Sequence, residues 1–101
     1  MRRLIEQPTN EGQLLHGRIP LGRVTYHLSI YQTFSDRSDA GVHTGLVVEG
    51  RLRSVDLIDL AMWHQRRAEL TLVLADGRVL QCVLSSTDGA LHSTGLGLYV
   101  P

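Results

Sequence analysis

"AELTLVLADGRVLQCVLSSTDGALHSTGLGLYV", residues 68–100, decides the fold. Its two Asp-Gly pairs, Asp76-Gly77 and Asp88-Gly89, separate runs rich in Leu and Val. Asp-Gly between such runs marks a hairpin turn. With Ala75-Asp76-Gly77 as a three-residue loop, Leu74 pairs with Arg78, Leu72 with Leu80, Leu70 with Cys82 and Ala68 with Leu84. One face is then almost wholly apolar, which sets the register, because a one-residue slip inverts every side chain. The same loop at Thr87-Asp88-Gly89 puts Leu80 opposite Leu96. The stretch reads as a C-terminal three-stranded meander. Its two tips lie at opposite ends of the middle strand, so the aspartates are turn residues and do not share a metal ion.

Upstream, "QLLHGRIPLGRVTYHLSIYQTF", residues 13–34, reads as a second hairpin. Val24, Tyr26, Leu28 and Ile30 alternate with Arg23, Thr25, His27, Ser29 and Tyr31, the period of a strand with one buried face. A four-residue loop pairing Ile19 with Val24 brings Leu15 opposite Leu28 and His16 opposite His27. "SDRSDAG", residues 35–41, reads as a mobile loop. "LVVEGRLR", residues 46–53, is a further strand with Leu46, Val48 and Leu52 on one face and Glu49, Arg51 and Arg53 on the other.

Between these strands, "SVDLIDLAMWHQRRAEL", residues 54–70, breaks the alternation. Leu57, Leu60, Ala61 and His64 fall on one helical stripe, with Asp56 as N-cap and Arg66-Arg67 at the end. The expectation is one short helix near 56–66, with His64 a hydrogen-bonded core histidine. The fold class is therefore mostly β (α+β). It is a small antiparallel barrel or curved sheet of about six strands with one helix. Residues 1–12 read as a polar lead-in and 13–101 as a single domain. OB-like and SH3-like barrels have this size and strand count, and no family motif is present.

The totals exclude several chemistries. At 101 residues and 43% hydrophobic, the chain builds a core without metal or disulfide. Ten acidic residues balance ten basic ones. A neutral chain has no global pull on nucleic acid, so that partner is disfavoured. All ten basic residues are arginines, as a GC-rich bacterial genome produces. No Schiff-base or P-loop lysine is available. Cys82 is alone, which fits a reducing compartment. Glu6, Gln7 and Pro8 interrupt any signal-peptide core, and no run approaches the roughly 18 apolar residues of a membrane span. The expectation is a cytoplasmic protein with no membrane contact and no cofactor.

Candidate sites are few. His16, His27 and His43 could hold zinc or copper if the hairpin register brings the first two together. They carry the reading of a small metal-dependent enzyme, against which no HExxH or HxH is present. Asp88, His92 and Ser93 have the residue types of a hydrolytic triad, but neighbours on a strand face opposite ways. Cys82 lies on the apolar face, where thiols are inert. The most informative group is Arg51, Arg53, Trp63, Arg66 and Arg67. Arginine and tryptophan are enriched at binding hot spots, and the guanidinium fork suits carboxylate or phosphate. The leading expectation is a non-enzymatic module that binds a protein partner or acidic ligand there. An OB-like nucleic-acid binder is the alternative, but Tyr26 and Tyr31 face opposite ways and form no stacking platform. The uncharged last strand, "TGLGLYVP" (94–101), needs either barrel closure or a second copy in a homodimer.

Overall fold

A computed structural model describes residues 2–33 and 45–101. Its strands are β1 (Arg2–Glu6), β2 (Thr9–His16), β3 (Ile19–Thr33), β4 (Gly45–Ser54), β5 (Leu70–Val73), β6 (Val79–Leu84) and β7 (Ala90–Tyr99). One helix, α1 (Leu60–Gln65), links β4 to β5. Within residues 1–12, Arg2–Glu6 and the start of β2 are strands. The segment 35–41, read above as a loop, and His43 lie outside the described residues.

All pairings are antiparallel, and β3-β2-β5-β6-β7-β4 closes into a six-stranded barrel because β4 returns to pair with β3. The 15-residue β3 organises it. Residues 24–27 of β3 bond to both β2 and β4, and residues 30–33 to both β1 and β4. β1 and β2 therefore follow one another along one edge of β3, with β4 on the other. Leu28 N donates to Pro8 O at 3.0 Å across their junction. At about 3.3 Å per residue β3 extends to about 50 Å, in line with the 48 Å long axis of the molecule.

The core is the set of inward positions that alternation identifies. Val24, Tyr26, Leu28 and Ile30 of β3 are buried with Val48 and Leu52 of β4. Leu70, Leu72, Leu74, Leu80, Cys82 and Leu84 complete the apolar face of the meander. Tyr26, the one buried aromatic among the described residues, has its hydroxyl satisfied by Ala75 N at 3.1 Å. The predicted pairs Leu72–Leu80 and Leu70–Cys82 are present. Leu74 N bonds to Arg78 O at 2.9 Å, closing the three-residue turn over Asp76 and Gly77.

Three expectations are corrected. In the first hairpin His16 pairs with Ile19, across a two-residue loop of Gly17 and Arg18. Gly17 has φ 62, which a tight hairpin turn wants at its first central position. A bulge between Leu14 and Leu15 then makes Leu14 the buried residue and leaves Ile19 64% exposed. Second, Leu80 pairs with Leu98, not Leu96. β6 advances two residues from Leu80 to Cys82 while β7 advances five, from Ser93 to Leu98, with glycines at φ 53 and 65 inside the bulge. Third, the helix is Leu60–Gln65, capped by Asp59, whose carboxylate accepts from Met62 N at 3.0 Å. Leu57 has φ 59, which no right-handed helix accommodates, so the helix cannot start at 56. Leu57 is 95% exposed, and Asp56 caps nothing: it accepts from Arg23 N at 2.9 Å.

α1 crosses one end of the barrel. The ends of β2, β4 and β6 and the starts of β3, β5 and β7 all gather there. Leu60, Trp63 and the preceding Ile58 pack on the core. Ala68 N bonds to Trp63 O and Arg67 N to His64 O, with Arg67 left-handed at φ 52. This double bond pattern is the Schellman helix stop. Among the described residues no helix is long and apolar enough to cross a membrane.

Candidate functional site

The outer face of β3, β4 and β7 carries the largest concentration of chemistry. Thr25 pairs with Arg53, His27 with Arg51 and Ser29 with Glu49; on the far side of β4, Arg51 pairs with Ala90 and Glu49 with His92. Paired residues share a face, so Thr25, His27, Arg51, Arg53 and His92 all point outward. Two adjoining clefts lie over them and meet at His27 and Arg51. One, of about 640 Å³, reaches from Thr9 and Thr25 past Arg53 to Leu60 and Asp88. The other, of about 570 Å³, reaches from Tyr31 and Ser29 past Glu49 to Ser85 and His92.

The carboxylates around these clefts are engaged. Glu49 receives Arg2 at 2.8 Å, and the Arg2 guanidinium also sits 4.1 Å from the centre of the Tyr31 ring. Glu11, beside Thr25, turns to Arg23 at 3.4 Å. Asp56 takes the other side of Arg23 at 3.0 Å, and that guanidinium holds the Asp56 carboxyl below the usual carboxylate range. Asp88 faces Arg51 at 3.5 Å. Hydrogen bonds from the Ser86 hydroxyl first, and then from Ala90 N, keep the Asp88 carboxyl ionised to lower pH than usual. Among the described residues, no carboxylate lies within ion-pair distance of Arg53. His27 Nδ1 and the Thr9 hydroxyl are hydrogen-bonded at 2.9 Å.

The five expected binding residues divide into two groups. Arg51 and Arg53 floor the cleft. Trp63, Arg66 and Arg67 sit on the helical cap. There Trp63 is half-buried, its ring 4.7 Å from that of His16, with the Arg66 guanidinium 5.5 Å from its centre. No hydrogen bond, ion pair or ring contact among the described residues joins the groups. Leu60, the first helical residue, reaches the edge of the cleft.

The histidine expectation is corrected. His16 lies opposite Ile19 and His27 opposite Thr9, so the two imidazoles are on different parts of the barrel. Among the described residues, no three His, Cys, Asp or Glu side chains gather as a metal would require. His64 is half-buried, and its Nδ1 is buried with no hydrogen-bond partner among the described residues, unlike the satisfied core histidine expected. His92 is exposed, while the Ser93 hydroxyl accepts from Val48 N at 3.0 Å; they point opposite ways and Asp88 reaches neither. Cys82 is buried and its thiol is pushed up to about 12, chiefly by burial.

Thr9, Thr25, His27 and Asp88 were not expected as one site. Alternation placed Thr25 and His27 on the polar face. No local signal tells which strand lies beside them. Set against protein-family models, curated proteins and solved structures, the chain matches none of them. What the fold and site define is a closed antiparallel barrel with a polar, arginine-floored cleft on its outer wall.

Proposed function

We propose that this barrel is a non-enzymatic module that binds an acidic ligand, an acidic segment of a protein partner, in the cleft over β3, β4 and β7. The observation that carries the reading is the pair Arg51 and Arg53. They stand on the same face of one strand, both exposed, and Arg53 has no carboxylate partner among the described residues. The strand fixes where the two side chains leave the backbone, and the planar guanidinium fork presents its donors together to a carboxylate. Thr25, His27 and Thr9 add hydrogen-bonding groups beside the charges. Tyr26 is buried in the core and Tyr31 lies under Arg2, so among the described residues the cleft offers no free aromatic face for a base.

The test is a nuclear magnetic resonance titration of the ¹⁵N-labelled protein with a glutamate-rich peptide at low salt. Shifts confined to Thr25, His27, Arg51 and Arg53, and lost in the R51A/R53A double variant at unchanged melting temperature, support the reading. Shifts centred on Trp63 and Arg66 would move the site to the helical cap. Shifts nowhere would refute it.

A further inference from the structure

The Asp88 carboxylate is fixed by its own turn and also faces the cleft. Oδ1 accepts from the Ser86 hydroxyl and from Ala90 N, while Oδ2 is presented to Arg51 at 3.5 Å. The loop that presents it is itself fastened to β4. Leu52 N donates to Gly89 O at 2.8 Å, and a β-carbon at Gly89 would overlap the Leu52 carbonyl oxygen. Arg51 and Asp88 both remain largely exposed, at 66% and 58% of their side-chain surface, so the pair is screened and weak. Two residues along the same face of β4, Arg53 has no such carboxylate among the described residues.

We infer that Asp88 is an internal stand-in for one of two carboxylates of the ligand. The cleft takes an extended acidic peptide with carboxylates on alternate residues, one seated on Arg53 and the other displacing Asp88 from Arg51. This rests on the cleft reading above and adds the ligand class and the residue that sets its affinity. The spacing supports it: alternate side chains of an extended chain stand about 7 Å apart, as do those of Arg51 and Arg53 on their strand. The chemistry supports it as well, because the group already on Arg51 is a peptide carboxylate. A ligand with a single anion would fill Arg53 and leave Asp88 in place.

The experiment uses the full chain and fluorescence anisotropy at low salt. The probes are a labelled heptapeptide alternating Glu with Thr, its Gln counterpart, a heptapeptide with one central Glu, and a labelled twelve-residue oligothymidine. Asp88→Asn keeps the loop's shape, the side-chain amide oxygen still accepting from Ser86, but removes the charge. The expected result is a two- to fivefold tightening for the alternating-Glu peptide, the range a screened exposed pair accounts for. The single-Glu peptide should show a clearly smaller gain, and Asp88→Asn in an R51A background should show none.

Equal affinity of wild type and Asp88→Asn for the alternating peptide, with R51A and R53A still weakening it, would overturn the inference and leave the cleft reading standing. Equal gains for the single- and alternating-Glu peptides would overturn the two-carboxylate ligand. Tighter binding of the oligothymidine than of any peptide would overturn the ligand class. No binding of any probe by any variant would refute the cleft reading itself.

Discussion

Glu6 and Arg78 lie 72 residues apart in the chain and are joined by two hydrogen bonds, of 2.6 and 3.1 Å. The same guanidinium bonds to Asp76 through Nε at 2.7 Å. One arginine thus fastens β1 to the β5–β6 turn at the barrel end opposite α1. The Glu6 carboxyl is held below its ordinary 4.5, first by its hydrogen bond with Arg78, and Asp76 is lowered by the same residue. A carboxyl lowered in the fold adds stability that is complete above its unfolded value and is lost as pH falls through its folded one.

Glu6→Gln should therefore destabilise the protein slightly at pH 7, by no more than about 1 kcal/mol for so exposed a pair, with a correspondingly small fall in melting temperature. The difference from wild type should shrink as pH falls below the ordinary 4.5 and vanish once pH is below the lowered folded value, since protonation then removes the same charge. Calorimetry across pH 2.5–7 checks it. A constant difference at every pH would mean that packing of the Glu6 stem, and not its charge, matters.

Gly50 pairs with Leu28, and a β-carbon there would overlap the His27 carbonyl oxygen and press on Leu28. Gly50→Ala should cost about 1–3 kcal/mol, because backbone cannot give way as a flexible side chain can. Gly77→Ala meets nothing within 4 Å and carries only the penalty of its φ of 91. Urea titrations of the two variants should rank Gly50→Ala as the more damaging.

Arg67 and Leu57 are the non-glycine residues with positive φ among those described, at 52 and 59. Each carries the roughly 1–2 kcal/mol penalty of a left-handed L-residue. Arg67→Gly should raise stability by about 0.5–1 kcal/mol, the steric relief exceeding glycine's added chain entropy. A rise in urea midpoint with no change in slope is the expected signature.

Cys82 is fully buried among the leucines of the meander, and burial pushes its thiol up to about 12. A thiol so raised stays protonated in the fold. Its contribution is therefore complete below the ordinary 9.0 and is lost as pH rises from there towards 12. Alkylation by iodoacetamide at pH 8 should be slow in water and abrupt at the unfolding transition. Rapid labelling of the folded protein would show that the meander opens locally.

The alternation of Val24 to Ile30 and of Leu70 to Leu84 was enough to say which side chains enter the core. Two Asp-Gly turns were enough to read a meander, and Asp76-Gly77 gave the register of its first hairpin but not of its second. These are local facts, since a strand reverses its side chains every residue and a turn has its own backbone geometry. The outward positions of Arg51, Arg53, Thr25 and His27 were legible for the same reason. What lies beside them was not. The pairing of β4 with both β3 and β7, the bulges at Leu14 and beyond Ser93, and the seating of Asp88 on Arg51 arise only when the ring closes. Closure depends on contacts far apart in the chain, and alternation gives each strand two faces without naming its neighbours. The sequence by itself determined the inside and the outside of this barrel; its tertiary structure decided which outward residues became one site.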